Sequence, residues 1–166
     1  MRTLVVYYSL EGNTKDAAEK IAASLGADLM RLVPIKDIPK KGLLKFLHGG
    51  GGATKGQGTE LQPYTADVSS YDAIILGTPV WAGKPCMAVN QFISDLAKKD
   101  KVVGAWAIAA SGKCDKCLDI MKKELPSIRV TVGLADRNST KQAAGNEVKL
   151  DSFISNLRKE FFLQEN

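Results

Sequence analysis

The chain has 166 residues, 45% of them hydrophobic and 25% charged, which is the composition of a single globular domain with enough apolar side chain to fill a core. Its 23 Lys and Arg against 18 Asp and Glu leave a charge of +5, a surplus that favours encounters with anions but does not make a nucleic-acid binder. No apolar run approaches the ~20 residues that cross a bilayer, the N-terminus does not read as a cleavable signal, and three cysteines do not make a disulfide framework, so a soluble cytoplasmic protein is expected.

Residues 3–9 form a nearly continuous apolar run of β-branched and aromatic side chains, the pattern of a strand covered on both faces. After Thr14, the residues Ala18, Ile21, Ala22 and Leu25 fall on one helical stripe, and Gly26 supplies a stop. Residues 27–33 alternate, as suits a strand near a sheet edge. The stretch 34–63 breaks the pattern: it holds seven of the 15 glycines, including Gly49 to Gly52, and five lysines against Asp37 and Glu60. Leu43, Leu44, Phe46 and Leu47 suit one short helix there, and a connection of this length inside one domain reads as a functional lid or a mobile segment.

Residues 72–77 make a third buried strand, followed by a helix carrying Val89, Phe92, Ile93, Leu96 and Ala97. Residues 102–109 make a fourth strand, with Trp106 reading as core. A helix carrying Leu118, Met121 and Leu125 follows, ended by Pro126. A fifth strand over 128–134 leads to a last helix, capped by Asn146, whose stripe is Leu150, Phe153, Ile154, Leu157 and Phe161. Strand and helix alternate five times, and buried parallel strands joined by right-handed helical crossovers satisfy that pattern.

The most informative stretch lies between the first strand and the first helix: Ser9, Leu10, Glu11, Gly12, Asn13 and Thr14. Unsatisfied N–H groups at a helix start, two hydroxyls and a glycine that permits turns a Cβ would block make a cup for a dianionic phosphate without Lys or Arg. The same residue types also occur in a simple capped turn. No Gly-Lys-Thr or Gly-Lys-Ser follows, and the three-glycine dinucleotide fingerprint is absent.

Val5, Val6, Tyr7, Ser9, Gly12, Thr14, Ala18 and Ile21 fit each defining position of the flavodoxin signature, and residues 71–85 resemble the segment around the second flavin loop of short-chain flavodoxins. The resemblance covers most of the chain, from residue 3 to about 160. It implies a three-layer α/β/α doubly wound domain with a five-stranded parallel sheet in the order 2-1-3-4-5, FMN as cofactor, and a redox partner protein or NAD(P)H as the other party to electron transfer. In such a sheet ligands sit beyond the carboxyl ends of the strands where the order reverses, so the loops after strands one, three and four would carry the site.

The second of these loops holds Thr78, Pro79, Val80, Trp81, Ala82 and Gly83. An indole there is a stacking surface for a flat ligand, part of a partner interface, or a side chain folded onto the core. By resemblance, Thr78 and the backbone of residues 80–83 would contact the isoalloxazine and ribityl chain. The third loop departs from the family, which commonly places an aromatic here. This chain has Ser111 and Gly112, whose backbone would bond the pyrimidine edge, and one ring face is left for a nicotinamide, quinone or nitroaromatic.

Cys114 and Cys117 have the spacing of a redox dithiol at a helix start, where the dipole, Lys113 and Lys116 would lower a thiol pKa. Alternatively, Cys117 packs with Leu118 and Met121 while Cys114 ends a loop. Cys86 reads as the start of a helix, and His48, beside four glycines, as a loop residue. No spacing suggests a metal site. Acidic flavodoxins hold the reduced flavin at low potential, whereas Lys84 and Lys113 in the ring loops imply a less negative value here. An electron carrier, an NAD(P)H-dependent flavin or quinone reductase, and a cofactor-free binding module are the readings this sequence leaves open, in that order.

Overall fold

The computed structural model describes residues 1–37 and 57–162. The glycine run from Gly49, the short helix expected around Leu43 to Leu47, and His48 lie outside the described residues. The elements are β1 (Thr3–Tyr7), α1 (Asn13–Leu25), β2 (Asp28–Arg31), β3 (Ala73–Trp81), β4 (Lys84–Pro85), α2 (Met87–Asp95), β5 (Val102–Ala109), α3 (Asp115–Glu124), β6 (Val130–Ala135), α4 (Thr140–Ala143) and α5 (Asn146–Leu157). Short 3-10 turns precede β3 and β5, and a π-type turn continues α5.

Five strands run parallel in the order β2-β1-β3-β5-β6, which is the expected 2-1-3-4-5 once β4 is set aside. The nearly continuous apolar strands follow from their two covered faces. Leu4, Val6 and Tyr8 of the first run face a layer with Val89, Phe92 and Met121 from α2 and α3. Val5 and Tyr7 face the opposite layer, with Ala18 and Ile21 of α1 and Phe153 and Ile154 of α5. Trp106 is fully buried in this second layer, as its place in a strand implies. β2 sits at an edge and keeps only Met30 inward, hence its alternation.

Three local features differ from the sequence expectation. β3 runs on to Trp81 instead of ending near Gly77, because Thr78 and Pro79 keep pairing with Ala107 and Ile108 of β5. Pro79 lies beyond Gly77, the last residue paired with β1, on an open edge where proline is tolerated. Val80 and Trp81 then fold back on Lys84 and Pro85 as an antiparallel hairpin. Finally, Asn146 does not cap α5; Gly145 stands at that position. The Asn146 carboxamide instead accepts from the Ala135 N–H (3.0 Å) and donates to its C=O (2.7 Å), finishing the edge of β6. Among the described residues, no helix is long and apolar enough to cross a membrane.

Candidate functional site

The carboxyl end of β1 leads through Ser9 to Gly12 into α1. Gly12 is the N-cap, at φ 98°, a left-handed conformation that favours glycine. No side chain caps the helix. The first bond of α1 runs from the Asp16 N–H to the Gly12 C=O (3.0 Å), so the N–H groups of Asn13, Thr14 and Lys15 have no partner within the helix. The loop is braced from behind: the Gly12 N–H donates to Ser9 Oγ (3.1 Å), and Arg31 donates to the Ser9 C=O (3.2 Å). Ser9 and Thr14 are both buried. Three adjacent helix-start amides, an uncapped dipole and two hydroxyls form a donor set suited to a phosphate dianion.

Opposite the cup stands the β3–β4 hairpin. Its two central residues, Ala82 (φ 50°) and Gly83 (φ 75°), are both left-handed, the combination of a type I′ turn. Trp81 is half-buried and meets Tyr8 edge to face, with ring centroids 5.6 Å apart and planes at 83°. Tyr8 donates to Asp37 (2.6 Å), and burial, reinforced by that bond, raises its pKa. Tyr8 therefore helps to fix the Trp81 ring. A cleft of ≈ 170 Å³ runs between the hairpin and the cup.

That cleft brings together Ser9, Leu10, Glu11, Asn13 and Thr14 with Pro79, Val80 and Trp81. It does not include every expected residue. Thr78 is fully buried; its hydroxyl donates to the Pro79 C=O (2.9 Å) and accepts from the Cys86 N–H (3.1 Å), so its side chain braces the hairpin. Ala82 and Gly83 form the hairpin tip, where Lys116 passes over Gly83: a Cβ there would lie 3.3 Å from its Cδ. Ser111 and Gly112 form the turn after β5, closed by a bond from the Gly112 N–H to the Ala109 C=O (3.0 Å), and Ala110 rather than either of them lines the cleft.

Asp136, which the sequence reading did not single out, also lines the cleft. The parallel register of β5 and β6 sets Ala135 beside Ala109, and the Asp136 N–H donates to the Ala109 C=O (2.9 Å). The loop after the last strand therefore reaches the site, and its position at a strand's carboxyl end is the signal that could have found it.

The lowered-pKa dithiol does not match the geometry. Cys114 is buried, with its thiol against the C=O groups of Ala107 (3.3 Å) and Leu134 (3.6 Å), and Cys117 is buried beside Leu118 and Met121 on the stripe of α3. Cys86, Cys114 and Cys117 are all free. Burial raises the pKa of each, Cys86 to about 11, and outweighs the helix-start effect expected from the sequence. Among the described residues, no group of three or more His, Cys, Asp or Glu is placed to hold a metal ion.

No family model matches the chain. Its fold is that of several solved flavoproteins. The crystal structure of a flavoprotein in complex with FMN from Lactobacillus acidophilus NCFM aligns with 86% of this chain and 98% of its own, at 22% identity and a TM-score of 0.65. The flavodoxin, WrbA-like protein from Agrobacterium tumefaciens aligns over 95% and 98%, at 21% identity and a TM-score of 0.56. An NADH:FMN oxidoreductase in its apo form aligns over 99% and 92%, at 16% identity and a TM-score of 0.58. At these identities the likeness is one of fold: the architecture is flavodoxin-like.

Proposed function

We infer that the protein is a noncovalent FMN-binding flavoprotein of the flavodoxin type that carries electrons between redox partners. The observation that carries this reading is the uncapped start of α1 behind a left-handed Gly12, facing Trp81 across one cleft. An anion cup beside an aromatic plane, at the reversal point of a doubly wound sheet, suits a ligand with a phosphate at one end and a flat ring at the other. The FMN complex of the Lactobacillus flavoprotein, which shares the fold, supports the choice.

FMN, when bound, supplies the electron-accepting ring; the chain supplies its binding and surroundings. The Asn13, Thr14 and Lys15 amides and the Ser9 and Thr14 hydroxyls hold the phosphate. Trp81, fixed by Tyr8, gives the ring a face to rest on. Val80 and Trp81 offer backbone groups along the hairpin, and Ala110 offers others at the far rim. Lys113 and Lys116 place positive charge around that rim, which favours the negatively charged reduced ring.

A second reading, an NAD(P)H-dependent flavin or quinone reductase, is favoured by one observation. Ala110 and Ser111, both exposed, occupy the third loop, so no aromatic side chain of that loop covers the cleft opposite Trp81. Anaerobic titration of FMN-loaded protein with NADH and NADPH separates the two. Reduction only through a partner reductase supports the carrier, whereas direct bleaching by either nucleotide assigns the reductase.

A further inference from the structure

The cup lies beside a second cavity, of ≈ 290 Å³, with which its cleft shares Asn13 and Ile108. Arg137, from the loop after β6, stands at the boundary. Its backbone N–H donates to Asn13 Oδ1 (3.3 Å), Nη1 pairs with Asp16 Oδ2 (2.5 Å), and Nη2 donates to the Glu11 C=O (3.1 Å). A Cβ on Gly12 would lie 3.2 Å from that Nη2. The guanidinium therefore spans the loop from Glu11 to Asp16, against Gly12, the N-cap of α1.

We propose that Arg137 makes this cup selective for a terminal phosphate monoester, favouring FMN over both riboflavin and FAD. The proposal rests on the reading of the cup as the FMN phosphate site. Two arguments carry it. The first is charge. Asp16 lies in the first turn of α1, where its carboxylate would repel a bound dianion. Arg137 pairs with it and offsets that repulsion beside the amide donors, so that removing the guanidinium leaves the Asp16 carboxylate facing the dianion. Lys20, also beside the second cavity, is already paired with Glu147 (3.1 Å) and Asp151 (2.8 Å), so it does not replace Arg137.

The second argument is space. A diester such as FAD must continue past its first phosphate. The second cavity, over Ala17, Leu134 and Leu150, is the adjoining room; the Arg137–Asp16 pair lines it, and Arg137 reaches from there to the C=O of Glu11, which lines the cleft. A chain passing there would displace the pair and run beside the carboxylates of Asp16 and Glu147. Because Arg137 is half exposed, its contribution is that of a screened charge and not of a buried one.

Fluorescence titration of the apoprotein with FMN, riboflavin and FAD tests this, using wild type, Arg137→Ala, Arg137→Gln and Arg137→Lys, each checked for an unchanged melting curve. Loss of the guanidinium in Arg137→Ala or Arg137→Gln is expected to weaken FMN about tenfold, leave riboflavin within about twofold, and lower the preference for FMN over FAD. Arg137→Lys restores part of the FMN affinity, and added salt shrinks the difference between wild type and Arg137→Ala. Riboflavin weakening as much as FMN, or FMN affinity unchanged in both neutral variants, would overturn the proposal. Wild type binding FMN no better than riboflavin would instead overturn the reading of the cup itself.

Discussion

At Gly77 the backbone of β3 passes directly against the indole of Trp106. A Cβ built there would lie 2.0 Å from Cζ2, 2.1 Å from Cε2 and 2.5 Å from Cη2 of that ring. Ordinary carbon contacts are ~3.5–4.0 Å, so the ring or the strand must move by more than an ångström. Neither moves easily. Trp106 is fully buried, and Gly77 is paired on both sides, with Tyr7 of β1 and Trp106 of β5. Overpacking of a core costs about 1–3 kcal/mol and occasionally more, and a rigid bicyclic ring in mid-sheet belongs at the top of that range. Gly77→Ala is therefore expected to destabilise by at least ~3 kcal/mol in urea unfolding followed by circular dichroism. Trp106→Leu alone also destabilises, through its cavity, but it makes room for the new methyl. The double variant should then be at least ~2 kcal/mol more stable than the sum of the single effects predicts. A Gly77→Ala protein within about 0.5 kcal/mol of wild type, or additivity of the two changes, would refute this packing.

Other consequences are as direct. Burial raises the pKa of Tyr7, Tyr8, Cys86, Cys114 and Cys117. Each group keeps its proton in the folded chain at pH values where the unfolded chain has lost it. The unfolded state then binds fewer protons, so stability present below pH ~9 falls as pH rises above it, by up to about 1.4 kcal/mol per pH unit for each such group. Urea midpoints measured between pH 7 and 10.5 should decline accordingly, and a flat profile would contradict the burial. The same thiols should resist a thiol reagent in native protein and react after unfolding. Ala82, left-handed in a turn that prefers Asn-Gly, predicts that Ala82→Asn raises stability by roughly 0.5–1 kcal/mol, checked by urea midpoint. Spectroelectrochemistry of the FMN-loaded protein should give a less negative potential for full reduction than an acidic flavodoxin gives, and neutralising Lys113 and Lys116 together should lower it.

The fold was legible because its strands are buried on both faces. The runs beginning at Thr3 and Val102 show neither the alternation of half-exposed strands nor a helical stripe, and Gly26 ends α1 in the left-handed conformation its position implies. The cup was legible for a similar local reason: hydroxyls and a glycine between a strand and a helix leave amides exposed. The rest depended on contacts distant in sequence. Pro79 reads as a loop signal until β1 is seen to end beside Gly77, leaving an open edge. Asn146 reads as a cap until the end of β6 offers it a backbone pair. The cysteine spacing suggested a reactive dithiol, yet burial, which spacing does not encode, sets the thiols' chemistry. Arg137 lies 126 residues from Glu11 and carries no motif, so only the packing of α1 beside the end of β6 brings it to the cup.

The central claim is that the start of α1 holds a phosphate while Trp81 lies against the attached ring. Calorimetry and tryptophan fluorescence on the apoprotein, with FMN and riboflavin in parallel, test it most directly. The account predicts one FMN per chain with tryptophan quenching that shrinks in Trp81→Leu to the part owed to the buried Trp106, and riboflavin at least about tenfold weaker because it lacks the dianion. Equal affinity for the two, or neither heat nor quenching at saturating FMN, would contradict it.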